Sequence, residues 1–276
     1  MAAPALHWNA EALRSQLAAR RPGLALEIVA ETRSTNSDLL DRLRADPFRP
    51  CLRVAERQIE GRGRHGRRWR AEPGASLTFS LALLIARADW SGLSLAVGVA
   101  IADALDPSPA AHRIGLKWPN DLWLLDTPDH GRKLGGILIE TAPAAAGRVA
   151  VIGIGLNIAG HHSAGSDYGS GYASVDELDP TADAPTTLAR IATPLLDAVE
   201  RFEQAGFAAF HERFAVRDLL VGRPVRTTQP GVAEGVAEGV TGDGALRVRT
   251  ADGRLHAVAS GEVSVRVGAT AGAAPC

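Results

Sequence analysis

Apolar and polar positions along the chain follow two periods, and the switches between them mark the elements. Leu13, Leu17 and Ala18 form a stripe behind Asn9, a residue suited to a helix N-cap, and Arg20-Arg21-Pro22-Gly23 ends it. Leu24 to Ala30 and Cys51 to Glu56 read as strands. Between them a short helix runs from about Ser37 to Arg44, with Leu39, Leu40 and Leu43 on one side and Pro47 beyond its end. Leu77, Phe79, Leu81, Leu83 and Ile85 alternate with Thr78, Ser80 and Ala82, the pattern of a half-buried strand. An apolar helix follows over Leu93 to Leu105. Four strand-like runs come next: Ile114 to Trp118, Asp121 to Leu125, Leu134 to Thr141 and Val149 to Ile158. A long helical pattern starts near Thr186 and turns Leu188, Ile191, Leu195, Val199 and Phe202 inward; Pro194 predicts a kink or break in it. A second short helix covers about Phe207 to Phe214. After Gly222, short β-like runs separated by Gly-Asp turns suit a small barrel, and Ala269 to Cys276 reads as a frayed tail.

Composition narrows the classes. The formal net charge of -1 argues against a surface built wholly for nucleic acid or anionic membrane. Cys51 and Cys276 are too few for a disulfide framework, which favours a reducing compartment. No signal peptide is visible, and the long uncharged run Val149 to Ser166 carries Asn157, His161 and His162, which a bilayer core disfavours. The expectation is a soluble, cytoplasmic protein. Of the 30 basic residues only Lys117 and Lys133 are lysine. In so arginine-biased a chain, the positions that stay lysine point to a need for a compact, movable ammonium.

Several segments carry chemistry. Gly61-Arg62-Gly63-Arg64-His65-Gly66-Arg67-Arg68-Trp69-Arg70 matches G-x-G-x-x-G literally, but Pro73-Gly74 and a strand follow where a dinucleotide fold needs a helix. The residue-level reading is a flexible loop whose guanidinium forks grip phosphate or carboxylate, or else a solvated basic loop touching nucleic acid. Its five arginines repel one another, so it should be mobile until an anion neutralises it and could then act as a lid. Ser34-Thr35-Asn36 at a strand-helix junction is a helix cap or a ligand-binding corner. Lys117-Trp118-Pro119-Asn120-Asp121 delivers an ammonium, an amide and a carboxylate in five residues. Arg132 to Glu140 sets Lys133 at the mouth of a strand beside Gly135 and Gly136, which permit close approach of a ligand. Gly153 to Asn157 closes another strand with glycines and an amide. His161-His162 fits no zinc-spaced set.

These stretches, with Gln58 and the terminal Gly261-Glu262-Val263-Ser264-Val265-Arg266, resemble the bacterial biotin protein ligases in order and spacing over about residues 24 to 268. The resemblance implies a mixed sheet flanked by helices, an α/β (α+β) catalytic domain related to class II aminoacyl-tRNA synthetases, and a C-terminal SH3-like β-barrel. The corresponding limits are an N-terminal helix at 1-23, a catalytic biotin- and ATP-binding domain at 24-218, the SH3-like domain at 219-268 and a tail at 269-276. Only about 23 residues precede the first strand, too few for the winged helix-turn-helix of many members, so the expectation is a ligase that is not a DNA-binding repressor.

The implied reaction joins biotin to ATP as biotinyl-adenylate and passes the biotin to a lysine of the biotin carboxyl carrier protein of acetyl-CoA carboxylase. By analogy, Ser34, Thr35, Asn36 and Gln58 hold the ureido head. Arg62, Gly63 and Arg64 close over the carboxylate and α-phosphate, and Lys133, beside Gly136, bridges them. Asn120 and Asn157 place nucleotide phosphates or Mg²⁺, Tyr172 stacks near adenine, and Asp121 orients or deprotonates the acceptor amine. No resident protein-bound metal is expected; Mg²⁺ arrives with ATP. Neither nucleic acid nor membrane is an expected partner. Lipoate or octanoate ligation, a nucleic-acid-binding module and a non-catalytic biotin sensor are the rival readings.

Overall fold

The computed structural model describes residues 6–45, 47–108, 112–127, 130–145, 147–160, 171–259 and 266–267. His161-His162, residues 261–265 of the terminal motif and the 269–276 tail lie outside them.

A seven-stranded mixed sheet carries the molecule. Its strands are β1 (Ala25–Thr32), β2 (Cys51–Gln58), β3 (Ser76–Leu84), β4 (Ile114–Lys117), β5 (Asp121–Thr127), β6 (His130–Ala144) and β7 (Gly147–Asn157), in the order β1-β2-β3-β7-β6-β5-β4. Only β1 and β2 are parallel; every other pair is antiparallel. The helices are α1 (Ala10–Arg20), α2 (Thr35–Ala45), α3 (Leu93–Leu105), α4 (Ala184–Ala205) and α5 (His211–Ala215).

The alternation in β3 is real, but the strand is not half-buried: eight of its nine residues are buried. Its large residues Leu77, Phe79, Leu81 and Leu83 join the main core with α3 and α4. The other face packs under α2, where Ala82 meets Leu39 and Val151 and Ser80 meets Thr35. A strand flanked on both edges and covered on both faces needs small polar residues on one side only if they have partners there.

Helix α2 starts at Thr35, two residues before the expected Ser37, so the Ser34-Thr35-Asn36 corner includes its first turn. Helix α4 starts at Ala184, capped by Asp183, whose carboxylate accepts from Thr186 N at 2.7 Å, and it runs unbroken through Pro194. Burial of Leu188, Ile191, Leu195, Val199 and Phe202 outweighs the hydrogen bond that Pro194 forfeits. Asn9 occupies the N-cap of α1 in a left-handed conformation, φ 42°, and its side chain makes no capping bond. Ala18 is exposed, so the buried stripe of α1 is Leu13 and Leu17 alone. That helix docks on the core: Gln16 Nε2 donates to Ala189 O and Thr193 Oγ1, both at 2.9 Å, and Arg20 pairs with Asp197.

The second sheet holds β8 (Pro224–Arg226), β9 (Glu234–Val240), β10 (Leu246–Arg249), β11 (Leu255–Val258) and β12 (Arg266–Val267), all antiparallel in the order β11-β10-β9-β8-β12. Its connector extends the edge of the large sheet, with Leu116 N donating to Arg217 O at 2.7 Å and Leu219 N to Leu116 O at 3.0 Å. The Trp118 indole N–H reaches Gly244 O, 126 residues away, at 2.9 Å. Among the described residues no helix is long and apolar enough to cross a membrane.

Candidate functional site

Two chemically distinct regions share the floor made by β6 and β7. The first is neutral. Ser34, Thr35 and Asn36 are all buried where β1 turns into α2. Asn36 Nδ2 donates to Leu138 O at 3.3 Å and to Glu140 Oε2 at 2.9 Å, which fixes the amide's orientation. Its Oδ1 carries no proton, so the 2.5 Å bond to Ser80 Oγ is donated by Ser80. The single Thr35 proton has two neighbours that can take it, Ser80 Oγ at 2.6 Å and Gln58 Oε1 at 3.1 Å. The Thr35 hydroxyl is then left with lone pairs only: it recognises an N–H. Gln58 Oε1 accepts from Thr35 N at 2.7 Å, and its Nε2 lies against Gly61. Ser34 Oγ accepts weakly from Ser37 N, at 3.4 Å, and keeps its proton for another acceptor.

The glycines of β7 make this recess possible. A Cβ on Gly153 would collide with the Asn36 amide, and one on Gly155 with the Trp69 indole. Trp69 therefore lies directly over the strand.

The second region is cationic. Lys133 is not at the mouth of its strand but three residues inside it, because β5 and β6 pair from Thr127↔His130 onward. Its Nζ donates to Asp121 Oδ1 at 2.7 Å, and a Cβ on Gly136 would stand in ordinary contact with the pair, 3.5 Å from that Nζ. Lys117, cross-strand from Asp121, places its ammonium 4.5 Å from the Trp123 ring centroid. Burial pushes the Lys117 ammonium below the ordinary lysine range; Asp121 opposes that shift, while Lys133 and Arg67 add to it. Burial likewise lowers Arg64, whose Nη1 donates to Asn120 Oδ1 at 3.3 Å. Asn120 is held in turn by Ile137, its Nδ2 donating to Ile137 O at 2.9 Å.

The arginine loop folds on itself rather than trailing as a coil. Bridges join Gln58 to Ala71 and Arg62 to Arg68, and a 3-10 turn spans Arg64–Gly66. Gly63 N donates to Arg67 O at 2.7 Å and Trp69 N to Gly61 O at 2.8 Å.

The structure thus gathers Lys133, Asp121, Gly136, Arg64 and Asn120 at one end, and Ser34, Thr35, Asn36 and Gln58 at the other. Arg62 is not with the lysine: its Nη2 donates to Ser37 Oγ at 2.8 Å, 3.7 Å from Glu140. Asn157 commits its Nδ2 to Lys133 O and Ala173 O, at 3.1 and 3.0 Å, and so stitches the Tyr172 segment to β6. Ser80, Ser37, Glu140 and Trp123 belong to the site and escaped the sequence reading as functional groups. The small polar residues breaking the apolar run of β3 were the available signal for Ser80. Among the described residues no group of three or more His, Cys, Asp or Glu could hold a metal ion.

A neutral recess that accepts and donates hydrogen bonds, joined to a cluster of Lys117, Lys133, Arg64 and Arg67 around one carboxylate, can bind a ligand with an uncharged polar head and an anionic tail. Beside a second polyanion, the same cluster can draw two anions together and stabilise charge passing between them.

Residues 29–157 match the model of the biotin/lipoate A/B protein ligase family, and residues 220–266 that of the biotin protein ligase C terminal domain. The bifunctional ligase/repressor BirA of Escherichia coli is 34% identical over 263 residues, 94% of this chain and 78% of that protein. The biotin--[acetyl-CoA-carboxylase] ligase of Mycobacterium tuberculosis is 33% identical over 273 residues, 91% of this chain and 93% of that one. Among solved structures, the Aquifex aeolicus biotin protein ligase in complex with biotin and ATP superposes with a TM-score of 0.73 at 25% identity, covering 88% of this chain and 99% of that chain.

Proposed function

The chain belongs to the biotin protein ligase family, and from that premise we propose how its residues join biotin to a carrier protein. It is an ATP-dependent ligase. A biotin carboxylate oxygen attacks the α-phosphorus of MgATP, pyrophosphate leaves, and the acceptor lysine amine then attacks the acyl carbon and expels AMP.

The observation that carries this reading is the Lys133–Asp121 pair at the cationic end of a neutral recess. The ureido N–H groups meet Thr35 Oγ, an obligate acceptor by proton count, while Ser34 donates to the ureido oxygen. The head then points the valeryl chain along β6 and β7 toward Lys133. Lys133 and Arg64 draw the carboxylate and α-phosphate together, and Asn120 orients Arg64. Mg²⁺ enters with the triphosphate and keeps phosphate oxygens and water as its main ligands, as its chemistry prefers. Closure of the loop from Gly61 to Trp69 shields the mixed anhydride from water.

Asp121 serves the second step. A free lysine with a pKa near ~10.4 is neutral in roughly one part in a thousand at pH 7, so a carboxylate that orients and relieves the amine of its proton raises the productive fraction. The acceptor is the biotin carboxyl carrier protein of acetyl-CoA carboxylase. The catalytic unit ends near residue 218, and the second sheet closes as an SH3-like barrel. The class II synthetase relationship of the first unit and a cytoplasmic setting complete the reading.

The test is intact-mass spectrometry of a biotin carboxyl carrier domain incubated with the protein, biotin and MgATP. A gain of one biotin that requires ATP, and falls at least about a hundredfold in rate with Lys133→Ala, is the expected result. Biotin binding without mass gain would leave a sensor, and preferential use of lipoate or octanoate would move the assignment to that branch.

A further inference from the structure

We propose that Glu140 is a positioning residue that orients the Asn36–Ser80 hydrogen-bond row of the neutral recess and ties it to the arginine loop. The inference rests on the biotin reading for the identity of the ligand and on geometry for the rest.

The two carboxylate oxygens of Glu140 serve different parts of the site. Oε2 accepts from Asn36 Nδ2 at 2.9 Å, and Oε1 faces Arg62 Nη2 at 3.7 Å. Arg62 also donates to Ser37 Oγ, the residue next to Asn36. The first turn of α2 is therefore clamped between a strand residue and a loop residue, with Glu140 touching both.

The clamp has a chemical direction. A carboxylate can only accept, so it turns the Asn36 amide N–H₂ toward β6 and its Oδ1 toward Ser80. Ser80 then donates to Asn36 at 2.5 Å and lies 2.6 Å from Thr35 Oγ1, whose proton goes to Ser80 or to Gln58 Oε1 at 3.1 Å. Glu140 reaches no ligand atom by this route, yet it orients the Asn36–Ser80 pair against which the Thr35 hydroxyl is seated. Without it, Leu138 O at 3.3 Å is the remaining acceptor for the amide, a longer and weaker hold. The Asn36 amide could then rotate and turn its Nδ2 toward Ser80, reversing that end of the row.

The same carboxylate fixes one end of the loop. Arg62 sits in the bridge with Arg68, so the ion pair restrains the hairpin at its base rather than its tip. An ion pair with side chains 47% and 29% exposed is screened, and its loss should change loop protection by about two- to fivefold rather than by orders of magnitude.

Two substitutions separate the functions. Glu140→Gln keeps an acceptor for Asn36 but removes the charge facing Arg62; Glu140→Ala removes both. Isothermal titration with biotin should give Glu140→Gln within about threefold of wild type and Glu140→Ala at least tenfold weaker. The turnover number of Glu140→Ala at saturating biotin should stay within about threefold, a KM effect rather than a kcat effect. Amide hydrogen exchange of residues 63–68 should quicken two- to fivefold in both variants. Arg62→Gln should reproduce that change, and Arg62→Gln with Glu140→Gln should add nothing further. Equal biotin affinity in Glu140→Ala and wild type, no rescue by glutamine, or additive exchange effects in the double variant would overturn the proposal. Should Glu140→Ala fail to fold, the Arg62 cycle with Glu140→Gln decides the loop arm alone, and Asn36→Asp, which abolishes the N–H₂, should lose biotin affinity as strongly as Glu140→Ala was expected to. Wild-type protein that binds no biotin would overturn the functional reading instead, while exchange measured on free protein would still judge the clamp.

Discussion

Two lysines among thirty basic residues define the site, and each is held by a different force. Lys133 is ion-paired to Asp121; Lys117 rests on Trp123 in surroundings that disfavour its charge. Asp121 faces both, so one carboxylate balances a cluster that otherwise repels itself. Asp121→Asn keeps a hydrogen-bonding side chain for Lys133 and removes the base. Single-turnover transfer from preformed biotinyl-adenylate should slow by about ten- to a hundredfold, the ordinary yield of general base catalysis or somewhat less. A wild-type transfer rate would remove Asp121 from the chemistry. Both lysines, the carboxylate and Arg64 stood out in the sequence because charge, glycine and rarity mark them. Glu140 and Ser80 did not, since a glutamate in a strand and a serine in an apolar run gain meaning only from partners over 40 residues away.

At the scale of elements, β6 and β7 act as a floor that is smooth where glycine occurs and walled elsewhere. Gly155 lets the Trp69 indole lie against the strand, and an added methyl would overlap the ring. Gly155→Ala should therefore lift Trp69, raise the KM for biotin about tenfold and lower stability by about 1–3 kcal/mol, the usual cost of overpacking. Titration calorimetry and a shift in tryptophan fluorescence would check this; an unchanged spectrum with unchanged KM would show that the ring is not part of the recess. The order of helices and strands was legible because each apolar period is local. The start of α2 and the double-sided burial of β3 were not. Both depend on what α2 covers, a long-range fact without a local signature. The continuity of α4 through Pro194 has the same origin, since packing outweighs the lost bond.

At the scale of the molecule, the connector between α5 and β8 joins the two sheets. Arg217 is buried there among Asp103, Asp106 and the carbonyls of Asp106 and Ile114. Its neighbour Asp218 bridges to Leu116, accepts from Leu220 N at 2.9 Å with Oδ1, and leaves Oδ2 buried without a partner among the described residues. Burial pushes this carboxyl up to about 6. Since an unfolded aspartate titrates near ~3.9, the folded chain binds the extra proton between about pH 4 and pH 6. Stability from this group therefore falls as pH rises through that window and stays reduced above it. Asp218→Asn keeps the Oδ1 acceptor and removes the charge, so it should raise stability at pH 8 by about 2 kcal/mol and leave it nearly unchanged near pH 4. Thermal melts at the two pH values would show it; equal gains at both would assign the effect to packing.

The scarcity of lysine has a further consequence once both lysines are seen to be half-buried. The proposed intermediate of this reaction is an acylating agent toward amines. Apart from the chain terminus, this protein presents that reagent with only Lys117 and Lys133, one held on an indole and one in a salt bridge. Its other 28 basic side chains are arginines, which stay protonated and do not acylate at neutral pH. The enzyme is in this sense a poor target for its own intermediate, and any that left the site would meet other proteins' lysines or water.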